Sequence, residues 1–91
     1  MLESSIERYL VKLVKRAGGE AKKLTGRRND TDRLVLWTHP TIDFVETKAP
    51  GKKPRRGQLR EHARLRARGF AVFVLDTKDK VDNYILLRGR T

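Results

Sequence analysis

The chain has 91 residues, with 22 lysines and arginines against 11 aspartates and glutamates, a formal net charge of +11, and no cysteine. The length predicts one small domain spanning residues 1–91, and the lack of cysteine excludes disulfide bonds and cysteine-ligated zinc. The charge favours a polyanionic partner, and nucleic acid is the first to consider. A membrane surface is the alternative, but no stretch approaches the ~18 apolar residues that a spanning helix requires.

An amphipathic helix is predicted over residues 2–16, because apolar residues recur there at three- and four-residue steps. Glu3 falls among these apolar positions, near Leu10 and Val14, and has two interpretations. It is either a solvated first-turn acid that favours the helix dipole, or an auxiliary acid that leans into a functional cleft. Glu7, one turn further on, is the weaker candidate, and Gly18-Gly19 end the helix.

A short polar edge strand is predicted at 20–24, and a loop rich in Gly, Arg, Asn and Asp follows at 25–31. In this loop Arg27 and Arg28 either lie near the phosphates of a nucleic acid or are simply solvated. Residues 32–37 and 42–48 then predict a β-hairpin with its turn at 38–41. We expect His39 in this turn to be exposed and not to act as a catalytic base.

The second hairpin strand carries the most informative pattern. Alternate side chains share a face in a strand, so Ile42, Phe44, Glu46 and Lys48 lie on one side. An acid and a base at the end of a half-buried strand cost solvation free energy, and such groups are enriched at functional sites. Asp32 supplies a second carboxylate, and two carboxylates suit a hard cation such as Mg²⁺.

These residues predict the centre of a metal-dependent phosphodiesterase, in which the lysine orients or activates a water molecule. The alternative is a surface ion-pair cluster worth ~0–1 kcal/mol. The hairpin sets a geometric condition on the prediction. For Asp32 to share a face with Glu46, the two residue numbers of each cross-strand pair must sum to an even value. The connecting loop must therefore have an odd number of residues, or Asp32 must lie just beyond a bend.

Residues 49–57 are predicted to form a loop, because two prolines and two glycines interrupt any regular structure. We expect its four cations to contact nucleic acid: Lys52, Lys53, Arg55 and Arg56.

A helix predicted at 56–68 has Gln58 and His62 on its inward side. The histidine is expected to be packed and hydrogen-bonded and not to be a ligand. The opposite row is either a solvated face or a ridge that binds a nucleic-acid backbone: Arg60, Arg64 and Arg68.

The run from Phe70 to Leu75 is continuously apolar, which predicts a central strand covered on both faces, parallel to an earlier strand. Asp76-Thr77 can cap a last helix. The predicted architecture is therefore α/β, in the order αβββαβα, with a small mixed sheet flanked by helices.

Asp32, followed after thirteen residues by Glu46-Thr47-Lys48, resembles the PD-(D/E)xK pattern of a large nuclease superfamily. Together with further landmarks, it resembles the virus-type replication-repair nuclease (VRR-NUC) domain over residues 3 to 75. Those landmarks are Glu3, Gly18-Gly19, Asp32-Arg33-Leu34, Glu46 through Gly51, and Gln58 with His62, Leu65 and Gly69. The chain departs from the family at Thr31, where the family usually has a proline, which changes backbone stiffness more than chemistry.

The resemblance implies a restriction-endonuclease-like αβββαβ core and a DNA endonuclease of replication and repair, dependent on Mg²⁺ or Mn²⁺, with branched, flap or junction DNA as substrate. It favours the second interpretation of Glu3. The implied catalytic residues are Asp32, Glu46, Lys48, Gln58 and Glu3. The implied metal ligands are Asp32, Glu46 and the carbonyl of Thr47. The expected nucleic-acid contacts are Arg33, Lys52, Lys53, Arg55, Arg56, Arg60 and Arg64.

The resemblance also implies a homodimer. Our own hypothesis is that Trp37, Phe44 or the apolar side of the last helix forms its interface. We expect no organic cofactor and no membrane association. Because no signal-peptide pattern is present, we expect the protein in the cytoplasm of a prokaryotic or phage-infected cell and not secreted. The alternatives are a non-catalytic basic nucleic-acid-binding protein, a junction resolvase, or a restriction endonuclease of the same superfamily.

Overall fold

The computed structural model describes residues 2–25 and 29–89, so Arg27 and Arg28 lie outside the described residues. The predicted order αβββαβα is confirmed. The elements are α1 (Glu3–Arg16), β1 (Glu20–Lys23), β2 (Arg33–Trp37), β3 (Thr41–Thr47), α2 (Arg56–Ala67), β4 (Ala71–Leu75) and α3 (Lys78–Arg88). Gly18 ends α1 with a φ of +91°, the left-handed conformation expected of a glycine at this position.

The four strands form one mixed sheet in the order β1-β2-β3-β4. β2 is antiparallel to both β1 and β3, whereas β4 runs parallel to β3 after the α2 crossover. The prediction that residues 70–75 form a central strand is wrong, because β4 lies at the edge of this sheet. The predicted cover on both faces is confirmed, because α2 and α3 both pack against β4.

The hydrophobic core lies on the sheet face that α1 and α3 cover. From α1 it receives three fully buried side chains at four-residue spacing: Ile6, Leu10 and Val14. This spacing is the apolar stripe of an amphipathic helix, and burial of each such side chain contributes ~1.5–3 kcal/mol. Gly19 allows the chain to pass over Trp37, since a Cβ at Gly19 would lie 2.7 Å from the indole ring.

The register of β2 and β3 meets the condition set by the sequence. Arg33 pairs with Val45 and Leu34 with Phe44, so the paired numbers sum to an even value, and the connecting turn has three residues, 38–40. Val45 faces the core under α1 and α3. Because side chains alternate along β3, Phe44 and Glu46 face α2.

Within the described residues, no helix combines the length and the apolar character needed to cross a lipid bilayer.

Candidate active site

Asp32 lies at a bend one residue before β2, and its carbonyl accepts a hydrogen bond from the nitrogen of Leu24. Its side chain reaches the end of β3. Asp32 Oδ2 accepts one hydrogen bond from the Thr47 backbone nitrogen at 2.7 Å and another from Thr47 Oγ1 at 3.0 Å. The first carboxylate is therefore fixed to the residue that follows Glu46.

Glu46 is buried at the end of β3, with its side chain only 1% exposed. Its two carboxylate oxygens have different neighbours. Oε1 lies 2.9 Å from His62 Nε2, and Oε2 lies 3.3 Å from Lys48 Nζ. Oε2 is buried and has no hydrogen-bond partner among the described residues, because the lysine contact lacks hydrogen-bond geometry. This oxygen is thus available to accept a further donor or a cation.

Lys48 directs its ammonium group toward this carboxylate. Its side chain is 12% exposed, and its backbone nitrogen donates to the carbonyl of Leu75 in β4. A surface ion pair would leave both groups in water, whereas here the acid is buried. A buried pair of charges must overcome a desolvation cost of several kcal/mol per ion. The interpretation as a surface ion-pair cluster is therefore wrong.

Glu3 is the first residue of α1, and its charge interacts with the site. Partial desolvation raises the pKa of Glu3, and the negative charge of Asp32 raises it further, while Lys48 acts in the opposite direction. Glu46 also contributes to the increase in this pKa. Although its side chain is exposed, Glu3 lies within electrostatic range of all three central residues, which supports the interpretation as an auxiliary acid.

This donor set fits a hard divalent cation. Carboxylate oxygens are the preferred ligands of Mg²⁺, and Glu46 Oε2 is a buried oxygen with no hydrogen bond to replace. In the described part of the chain, no three acid, histidine or cysteine side chains converge closely enough to bind a metal ion unaided. Two carboxylates, a main-chain carbonyl and water molecules are nevertheless a usual shell for Mg²⁺, which keeps several of its waters.

Gln58 is buried as predicted, but its side-chain oxygen bonds to a neighbouring residue of the same helix start. Its Oε1 accepts a hydrogen bond from the backbone nitrogen of Arg55 at 2.8 Å, which satisfies a free donor at the start of α2. Within the described ranges, no hydrogen bond joins Gln58 to Glu46 or Lys48. A glutamine three positions into a helix is a known capping signal, so the sequence could have indicated this contact. A catalytic role for Gln58 stays a prediction.

His62 is 1% exposed and hydrogen-bonded to Glu46, which confirms that it is a packed, bonded histidine.

Several predicted nucleic-acid contacts surround the start of α2. Lys52 and Lys53 are exposed on the loop before it. Asn29, Arg55, Arg56, Gly57 and Arg60 line a cavity of about 300 Å³. Gly57 allows the Asn29 side chain to approach the start of α2, since a Cβ there would lie 2.6–2.8 Å from the side-chain atoms of Asn29. The first turn of α2 contains no acid, so the cavity is cationic.

Two other arginines of the predicted set are paired with acids. Arg33 Nε lies 2.9 Å from Glu7 Oε2, and a second guanidinium nitrogen donates to the Ala21 carbonyl at 3.3 Å. Arg64 forms two hydrogen bonds with Glu61, at 2.9 and 3.0 Å, which raise the pKa of its guanidinium. Their roles in nucleic-acid binding stay predictions. The exposed Arg68 donates to the Arg64 carbonyl.

The sequence did not indicate a buried carboxylate at the other end of β3. Asp43 is fully buried, and its Oδ2 accepts from Tyr84 (2.6 Å), Arg88 (3.0 Å) and Trp37 (3.2 Å). Burial, and then the hydrogen bond to Asp43, raise the pKa of Tyr84. Strand alternation places Asp43 on the core face, but its partners in α3 are more than forty residues away in sequence, so no local pattern reveals them.

This network also corrects two expectations. Trp37 is only 5% exposed and donates to Asp43, so the proposal that it lies at a dimer interface is wrong. His39 is half-buried, not exposed: its ring stacks on Trp37, and its Nε2 lies 2.9 Å from the carbonyl oxygen of Arg88. His39 therefore helps to close the end of α3 onto the sheet.

Known proteins resemble this chain in sequence and in fold. No protein-family model matches the chain. A solved structure described as "VRR_NUC domain" superimposes with a TM-score of 0.86 and 38% sequence identity, over 92% of this chain and 94% of that one. The chain belongs to the VRR-NUC family. A second relative is "Putative nuclease p44" of Acyrthosiphon pisum secondary endosymbiont phage 1. It is 54% identical over 79 residues, which cover 85% of each chain, and its name agrees with a nuclease of the VRR-NUC family.

The VRR-NUC assignment confirms the predicted family, the α/β fold and the nuclease class.

Proposed function

We propose that this VRR-NUC protein is a DNA endonuclease that hydrolyses phosphodiester bonds with the help of Mg²⁺ or Mn²⁺. The observation that carries the proposal is the end of β3. There a buried carboxylate oxygen of Glu46 has no hydrogen bond, lies 3.3 Å from the Lys48 ammonium, and adjoins the residue held by Asp32.

In this proposal Asp32, Glu46 and the carbonyl of Thr47 hold the metal ion, with Glu3 as an auxiliary acid. A divalent ion bound there lowers the pKa of water and offsets the negative charge on the phosphate. The hydrogen bonds from Thr47 to Asp32 keep this carboxylate in place. Partial desolvation raises the pKa of Glu3, and the negative charge of Asp32 raises it further; a cation would relieve that repulsion.

Lys48 contributes a fixed positive donor. Its ammonium orients the attacking water or stabilises the charge that develops on the scissile phosphate. As water adds to phosphorus it gives up one proton to the solvent, the bond from phosphorus to the leaving sugar oxygen breaks, and that oxygen takes up a proton from the solvent. Gln58 acts by fixing the first turn of α2 through its bond to Arg55.

The substrate is recognised through its backbone charge. Lys52, Lys53, Arg55, Arg56 and Arg60 are exposed on the loop and helix that follow β3, and the net charge is +11. Cations clustered on one segment beside the active site bind phosphates without reading sequence. This favours selection by DNA shape, and we propose branched, flap or junction DNA formed in replication and repair, in the cytoplasm of a prokaryotic or phage-infected cell.

We further propose that two copies assemble into a dimer through α3. Leu86 and Leu87 are 60% and 63% exposed near the end of this helix, and a two-fold contact would bury them. Light scattering at micromolar concentration should give twice the chain mass. A monomer at that concentration would remove this part of the proposal.

The test is a panel of flap, junction, single-stranded and duplex DNA with the purified protein and Mg²⁺ or Mn²⁺. We expect metal-dependent cleavage that Lys48→Ala abolishes while DNA binding persists. Binding without cleavage of any substrate would instead favour a non-catalytic nucleic-acid-binding protein.

A further inference from the structure

Glu46 and His62 form a buried polar pair behind the active site. Each side chain is 1% exposed, and His62 Nε2 lies 2.9 Å from Glu46 Oε1. The two residues come from different elements, β3 and α2. Their contact therefore fixes the active-site carboxylate to α2, the helix that follows the loop with Lys52 and Lys53.

The chemistry of the pair sets its direction. An ionised carboxylate only accepts hydrogen bonds. Nε2 is therefore the protonated ring nitrogen of His62, and it donates the hydrogen bond to Glu46 Oε1. The terminal torsion of a glutamate is broad and weakly constrained by itself. With Oε1 held by the imidazole, the carboxylate cannot turn freely, and Oε2 stays as the oxygen that faces Lys48.

Packing alone does not explain a histidine at this position. Leu65, less than one turn further along α2, fills the same face with an ordinary apolar side chain. His62 instead places in the interior a ring whose Nδ1 has no hydrogen-bond partner in the described residues. An unsatisfied buried polar atom lowers the stability of a fold, so packing alone does not favour an imidazole here.

We propose that His62 is a positioning residue, which holds Glu46 so that Oε2 is presented to a divalent cation. This inference rests on the proposed metal-dependent function. Groups that orient a metal ligand typically change metal affinity by about 10- to 100-fold when they are removed. Loss of the His62 donor should therefore weaken metal binding by that factor, even with all proposed ligands intact.

The experiment compares two amides at position 62. The side-chain nitrogen of His62→Gln reaches about as far as Nε2, whereas that of His62→Asn reaches only as far as Nδ1. Binding of Mn²⁺ is measured by the electron paramagnetic resonance signal of the free ion, with the melting temperature of each variant as a second readout. We expect H62Q to bind Mn²⁺ nearly as tightly as the unmodified protein, and H62N to bind about 10- to 100-fold more weakly.

Cleavage should follow the same order, and excess Mn²⁺ should restore much of the rate of H62N. A purely structural role would instead lower the melting temperature of both amides without separating their affinities. The inference is overturned if H62N binds Mn²⁺ as tightly as the unmodified protein, or if H62Q binds as weakly as H62N. Failure of the unmodified protein to bind Mn²⁺ or to cleave DNA would refute the proposed function itself, which is a distinct outcome.

Discussion

Asp32 Oδ2 accepts hydrogen bonds from both the backbone nitrogen and the hydroxyl of Thr47, at 2.7 and 3.0 Å. These bonds join Asp32, one residue before β2, to Thr47 at the end of β3, fifteen residues later in the sequence. Because Thr47 follows Glu46 directly, one short contact brings two carboxylates to the same end of the sheet. The hydrogen bonds from Thr47 require only an oxygen acceptor at position 32. The proposed metal site requires, in addition, the negative charge of Asp32.

Replacement of Asp32 by asparagine separates these two requirements. The amide oxygen can still accept from Thr47, so we expect the fold to persist, but loss of the charge should slow cleavage by at least about 100-fold, or ~2.7 kcal/mol in the barrier. Cleavage of branched DNA with Mn²⁺ and a gel-shift assay without metal would measure the two effects. Glu20→Gln, the same change at an exposed position of β1, is the matched control. Cleavage by D32N at the unmodified rate would contradict the assignment.

The pKa of Glu3 offers a test that requires no substrate. Because desolvation and then Asp32 raise this pKa while Lys48 lowers it, Asp32→Asn should lower it and Lys48→Met should raise it further. The pKa of Glu3 is higher in the folded protein than in the unfolded chain. Glu3 therefore stabilises the fold fully below its unfolded pKa, and this stabilisation is lost as the pH rises through its folded pKa. Carboxyl ¹³C NMR titration would measure the shifts, with Glu20→Gln again as control. Equal Glu3 pKa values in all proteins would place this acid outside the site.

The sequence predicted the elements better than their environment. Hydrophobic periodicity located α1, and sequence patterns of several kinds located the other helices and the strands: β1 was predicted as a polar edge strand, and β4 from a continuous apolar run. Alternation along the strand predicted that Glu46 and Lys48 share a face. Strand order depends on tertiary packing, which explains why β4 was predicted as a central strand but lies at the edge. Likewise, the local pattern around Asp43 cannot reveal hydrogen bonds to residues in α3, and the cap formed by Gln58 was masked by its position in a nuclease-like pattern.

The Asp43 network should support stability and not catalysis. Tyr84 donates to Asp43 at 2.6 Å in the core, so Tyr84→Phe should lower the free energy of unfolding by about 1.5–3 kcal/mol, as for a buried hydrogen bond to a charged group. Cleavage below the melting temperature should be unchanged, because Asp43 lies toward the opposite end of β3 from Glu46. Urea unfolding and a cleavage assay would measure both quantities.

The matched control for Tyr84→Phe is Tyr9→Phe. The Tyr9 hydroxyl also donates to a carboxylate at 2.6 Å, that of Asp82, but this pair is only partly buried. Water can replace its hydrogen bond, so we expect a smaller loss of stability. Equal losses for the two variants would show that burial of the Asp43 network contributes nothing of its own.

The cationic cavity at the start of α2 predicts how DNA affinity should depend on salt. Arg60 lines this cavity, so Arg60→Gln should weaken binding of uncleaved DNA similarly for different sequences. It should also reduce the slope of log affinity against log salt by about one, the effect of one phosphate contact. Arg16→Gln makes the same charge change at an exposed residue in the last turn of α1 and should leave the slope nearly unchanged. If both variants reduced the slope equally, the effect would come from net charge alone, and DNA would not be bound at this cavity.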